Sequence, residues 1–114
     1  MSTEGIHTVL SISGDPGMTK QVTLGNGAQS LAELGVDTYL DIGGGRKLDA
    51  KAVLVTCETY DCRFAFGSDP TAAFGHLLFA NELRYIVNPE AVRNIKFCNA
   101  TANSNAVLTI TPEF

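Results

Sequence analysis

The chain has no tryptophan, three tyrosines and eight basic side chains among 114 residues. Each shortage closes off a class of function. Tracking a nucleic-acid backbone takes clustered Lys and Arg, whereas here the formal charge is −4 and Arg46 and Lys47 are the only adjacent basic pair. Nucleic acid is not an expected partner. A flat or grooved carbohydrate-binding face draws on exposed aromatics that also hydrogen-bond, and the lack of Trp with so few Tyr weakens that reading.

No stretch approaches the roughly 18 apolar residues that a membrane helix requires, so no membrane partner is expected. The opening "MSTEGIHTVLSISGDPG" lacks a basic segment followed by a continuous apolar run, so it does not read as a signal peptide. The chain is expected to be made in a cytoplasm and to stay soluble. Cys57, Cys62 and Cys98 are odd in number and follow no pairing pattern. Neither His7 nor His76 lies where it would complete a zinc pattern with Cys57 and Cys62, so all three are expected to be buried, reduced and inert. The sequon Asn99-Ala100-Thr101 has no meaning in a cytoplasmic product.

What the chain does have is a 45% hydrophobic share with 18% charge, enough for a core without metal or disulfide staples. Its length suits one domain, residues 1–114, with residues 1–20 read as either an N-terminal strand or an arm. Short β-branched and aromatic runs recur between Gly, Asn, Asp and Pro, the signature of a compact all-β sandwich or small barrel. Jelly-roll and immunoglobulin-like arrangements both fit, with at most one or two short helical turns.

Strands are expected at Ile6–Ile12, Lys20–Leu24, Thr38–Ile42, Ala52–Cys57, Cys62–Phe66, His76–Phe79, Leu83–Val87, Ile95–Asn99 and Ala106–Thr111. The continuous apolar run Ala52–Cys57 reads as buried on both faces, and it is expected to pair with Cys62–Phe66 across Glu58-Thr59-Tyr60-Asp61. "GGGRKLDAK" reads as a flexible exposed loop. Ser30 with Glu33 and Gly35 outlines a turn of helix or a loop anchored by Leu31 and Leu34. Asn88 with Pro89 marks the start of another helical turn.

The sharper chemical readings are weaker than their plain alternatives. Ser68, Asp69 and His76 contain the ingredients of a nucleophilic triad, but Ser68 and Asp69 are adjacent and no G-x-S-x-G elbow surrounds the serine. Asp69-Pro70-Thr71 reads better as a corner. "GNGAQS" and "GGGRK" lack the spacing of nucleotide loops. Asp37, Asp41, Asp49, Glu58 and Asp61 lack that of a calcium loop and read as solvated charge. No catalytic residue, metal or cofactor is expected. Phe74, an aromatic among small neighbours in "TAAFG", either folds back on the core or anchors a partner contact.

The second half carries a resemblance. "AVLVTCETYDCRFAFGSDPTAAFGHLLFANE" followed by "NPEAVRNIKFCNATANSNAVLTITPEF" is similar to small virion structural proteins of tailed bacteriophages. The matching positions are Val55, Glu58, Thr59, Asp61, Arg63, Phe64, Gly67, Pro70, Thr71, Gly75, His76, Leu78, Phe97, Ala100, Thr101, Val107 and Thr111. It covers residues 51–114 and leaves the first fifty unmatched. R-F-x-x-G-S-D-P-T also resembles the strand and turn of immunoglobulin-like accessory domains in bacterial glycosidases. The phage likeness implies a protein without an active site, made in the bacterial host cytoplasm and carried on the virion. It would act as a capsid decoration or cement protein, with the major capsid protein as partner and a homotrimer as the natural oligomer. A head-to-tail connector or tail component, or a carbohydrate-binding or adhesion module, are the other classes.

Overall fold

The computed structural model describes residues 15–114; the expected strand Ile6–Ile12, with His7, lies outside them. Among the described residues the ten strands are β1 (Lys20–Thr23), β2 (Gln29–Ser30), β3 (Tyr39–Gly43), β4 (Arg46–Asp49), β5 (Ala52–Glu58), β6 (Cys62–Phe66), β7 (His76–Leu78), β8 (Leu83–Val87), β9 (Ile95–Asn99) and β10 (Val107–Glu113), with a short helix α1 (Pro89–Asn94) between β8 and β9. The fold is all-β with few helical turns, as the alternating runs predict.

Eight of these strands form two four-stranded antiparallel sheets, ordered β1-β10-β5-β8 and β2-β9-β6-β7. Leaving aside the separate β3–β4 hairpin, the first strand pairs with the last, the second with the seventh, the third with the sixth and the fourth with the fifth. That is a long antiparallel ribbon rolled up on itself, the jelly roll. The inner faces of both sheets share one core. Val53, Val55, Cys57, Leu108 and Ile110 come from the first sheet and Cys62, Phe64, Leu78, Ile95 and Phe97 from the second.

The rolled topology corrects the expected pairing of Ala52–Cys57 with Cys62–Phe66. β5 pairs with β10 and β8, while β6 pairs with β9 and β7. The segment Glu58–Asp61 therefore carries the chain from one sheet to the other. β5 is also not buried on both faces. Val53, Val55 and Cys57 are fully covered, but the alternate Leu54 and Thr56 are half-buried. The apolar run marks a central strand with one core face.

The local capping signals hold. Ser30 Oγ accepts from the Glu33 N–H at 3.2 Å and Glu33 Oε1 accepts from the Ser30 N–H at 2.9 Å, a reciprocal capping box. The single turn then closes through Val36 N–H to Leu31 O at 2.9 Å and Gly35 N–H to Ala32 O at 3.0 Å, with Gly35 at φ 84°. This is the 6→1 and 5→2 pair of a Schellman ending, and Leu31 and Val36 both enter the core. The Ser30 hydrogen bonds hold the Glu33 carboxyl below the usual carboxylate range. At α1, Asn88 Oδ1 accepts from the Glu90 N–H at 2.8 Å with Pro89 at the first position.

The glycine-rich stretch is not a loop. Arg46–Asp49 returns alongside Tyr39–Gly43 as a two-stranded sheet of its own. Every residue from 39 to 49 is exposed, Tyr39, Leu40, Ile42 and Leu48 among them.

Asn99 is buried and works for the fold. Its Oδ1 accepts from the Ala106 N–H at 2.9 Å and its Nδ2 donates to Asn26 Oδ1 at 3.0 Å. Asn26 Oδ1 also accepts from the Asn103 N–H at 2.8 Å, so one amide pair ties the β1–β2 and β9–β10 connections together. Removing it strands a buried backbone donor, which costs about 1–3 kcal/mol. Asn99→Ala is expected to lower the unfolding free energy by that amount in urea titration; a change below about 0.5 kcal/mol, the scale of a neutral surface substitution, would show that the amide carries no load.

Candidate partner-contact site

Between β6 and β7 the chain makes one outward excursion, residues 67–75, and the side chains it presents depend on how tightly it is held. Gly67 turns at φ 70° and its N–H donates to Asn94 O at 3.1 Å. Thr71 and Phe74 exchange backbone hydrogen bonds, Thr71 N–H to Phe74 O at 2.9 Å and Phe74 N–H to Thr71 O at 3.2 Å, around Ala72 and Ala73. Thr71 Oγ1 accepts from the Ala73 N–H at 3.2 Å. The side chain that caps this corner is thus that of Thr71. Asp69 instead pairs with Lys96 Nζ at 2.8 Å and raises that ammonium's pKa.

Arg63 clamps the excursion from below. Its Nε donates to Ala72 O at 3.0 Å and its Nη1 to Gly75 O at 2.8 Å. The planar fork fixes two carbonyls at once, which an ammonium could not reproduce. Gly75 sits at φ 120°, and a Cβ there would lie 2.9 Å from Phe64 O and 3.2 Å from Pro70 Cβ. Only glycine lets the chain pass so close to β6. Pro70 is buried beneath the turn.

What this scaffold displays is apolar. Phe74 is 55% exposed and Phe66, at the end of β6, 43% exposed. Phe74 therefore points outward and does not fold back on the core. With Ala65, Ser68, Ala73, Gly75 and His76, these rings line a hollow of about 430 Å³. Phe64 links the hollow to the core. Its ring lies 6.0 Å from Phe97 inside, and 5.3 Å from His76 and 5.8 Å edge-on from Phe66 outside.

Of the three residues offered for nucleophilic chemistry, Ser68 and His76 line the same hollow and Asp69 turns away to Lys96. His76 stacks on Phe64 as a half of a cross-strand pair. Four of the five scattered carboxylates serve local structure. Asp41 accepts from the Gly43 N–H at 2.9 Å, Asp61 from the Ala80 N–H at 2.8 Å and Glu58 from the Thr109 hydroxyl, while Asp49 pairs with Arg93 at 3.0 Å. Among the described residues no group of three or more His, Cys, Asp or Glu could hold a metal ion, and no helix is long and apolar enough to cross a membrane.

Two contributors escape the sequence reading. Arg63 looks like the polar half of an alternating strand, and Phe66 like one more core residue of the same run. The signal for Phe66 is its place directly before Gly67, where β6 runs past the end of its three-residue partner β7. No protein-family model, curated protein or solved structure matches the chain.

Display and support are separable by mutation. Phe74→Ala is expected to leave the urea midpoint within the range of a surface change, about 0.5 kcal/mol. Gly75→Ala, forced into a positive φ against a carbonyl, is expected to cost at least about 2 kcal/mol. Equal losses in the two variants would show that Phe74 packs into the fold after all.

Proposed function

We propose that the chain is a structural protein of a tailed-bacteriophage virion, a decoration protein that binds the assembled head as repeated copies and stabilises it. The observation that carries this reading is the outward apolar display on the Arg63-clamped turn. Phe66 and Phe74 stand exposed on a segment that is already ordered, so little conformational entropy is lost when a partner covers them. Exposed aromatic anchors of this kind dominate protein–protein contacts. The jelly-roll body supports it by analogy, since that fold recurs in viral shell proteins, as does the partial likeness over residues 51–114.

The energetics suit the role. A small contact around Phe74 is weak alone, but a shell offers many equivalent sites at fixed spacing. A ligand that binds only the assembled lattice stabilises that state by mass action. The exposed β3–β4 hairpin, with Leu40, Ile42 and Leu48 uncovered, gives each copy a second apolar surface for a neighbouring subunit. On this reading the partner is the major capsid protein, and a threefold lattice position favours a homotrimer.

Mixing the purified protein with expanded, undecorated heads of the phage that encodes it should give saturable co-sedimentation. Phe74→Ala should weaken it at least tenfold, about 1.4 kcal/mol per site. Absence of saturable binding would overturn the reading, and isolated rings seen by electron microscopy would favour a connector in its place.

A further inference from the structure

The three cysteines are not equivalent in space. Cys57, on the inner face of β5, and Cys62, on the inner face of β6, are fully buried with their sulfurs 3.8 Å apart. They sit at the two ends of the segment that carries the chain from one sheet to the other. Cys98 lies beside Arg63 in the pairing of β6 with β9, on the opposite face of that sheet from Cys62, and its Sγ contacts Asn99 O at 3.5 Å.

We propose that Cys57 and Cys62 are a dithiol that closes to a disulfide under oxidation, joining the two sheets covalently at the Glu58–Asp61 crossover, with Cys98 left as a thiol. The facing sulfurs lie on strands already fixed by pairing on both edges, so closure requires side-chain rotation and no change of register. The crossover is also where the core can open. Thr59 holds φ 69°, Tyr60 is exposed, and Tyr60 O accepts the Cys57 thiol at 3.0 Å. Displacing this short turn uncovers both sulfurs while leaving the sheets intact.

The oxidant is a small-molecule disulfide such as oxidised glutathione. Cys57 gives up its proton to solvent and its thiolate attacks one sulfur of the small disulfide. A mixed disulfide forms and one small thiolate leaves. Cys62, deprotonated in turn, attacks the Cys57 sulfur of that mixed disulfide and expels the second small thiolate. Two protein thiols are oxidised by two electrons and one small disulfide is reduced to two thiols. The order follows from the surroundings. Cys57 Sγ reaches Tyr60 O of the exposed turn at 3.0 Å, so it is the sulfur that displacement of the turn frees first. Contact with Cys62 also holds its thiol below the ordinary pKa, whereas contact with Cys57 and burial push that of Cys62 up.

The bond is directly readable, because both cysteines fall in one tryptic peptide, residues 52–63, and Cys98 falls in another. Reduced protein is incubated with oxidised glutathione at several urea concentrations below the unfolding midpoint, then alkylated, digested and weighed. The expected result is a 52–63 peptide lighter by two hydrogens and unalkylated, an alkylated Cys98, a rate that rises with sub-denaturing urea, and an unfolding midpoint no lower than that of the reduced protein. Cys98→Ser should close equally well, and Cys62→Ser should stop at a glutathione adduct on Cys57. Three persistent thiols, a bond involving Cys98, closure only above the midpoint, or a lowered midpoint after closure would each overturn the proposal.

Discussion

The packing of Phe64 is the contact on which the rest of the molecule turns. Its ring meets Phe97 in the middle of the sandwich and His76 and Phe66 at its open end, so the same side chain belongs to the core and backs two of the rings that line the exposed hollow. Its carbonyl sets the closest approach of Gly75, and the neighbouring Arg63 holds the turn carbonyls on the other face of the strand. Inward and outward residues of one short strand thereby fix a surface feature to the interior. Large truncations in such a core cost about 3–5 kcal/mol, a large part of the whole stability of a domain this size. The display on the turn is as stable as the fold itself.

Much of this was legible in the chain. Side-chain alternation depends only on the strand's period of two, so Cys62, Phe64 and Phe97 could be read as inward-facing without knowing any neighbour. Capping is equally local, and Ser30 with Glu33 and Asn88 with Pro89 behave as their residue types require. Strand partnership is another matter. Alternation says which side chains turn inward and nothing about which strand lies alongside, and the four residues Glu58–Asp61 are compatible with a hairpin or with a step between sheets. The jelly-roll order resolves that choice through contacts far apart in sequence, such as Val53 with Pro112 and Phe64 with Phe97.

The β3–β4 hairpin was hidden for a different reason. Three consecutive glycines mask a strand signal, yet Gly43, Gly44 and Gly45 all take positive φ and allow the chain to reverse tightly. Phe74 was ambiguous because composition does not orient a ring. The direction follows from Arg63, Pro70 and Gly75 acting together, and their effect on residue 74 exists only in the folded arrangement. The pairing of Cys57 with Cys62 has the same origin, since it needs the crossover that brings two sheets face to face.

On the proposed reading, these features meet in one physical idea: a small, closed core that spends its outer surface on contact. The most direct measurement is an electron cryomicroscopy map of expanded heads saturated with the protein, at a resolution that traces the strands. The account predicts density on the outer shell surface with residues 71–76 against a capsid subunit. Heads that carry no added density, or bound copies whose Phe74 turn faces solvent, would contradict it.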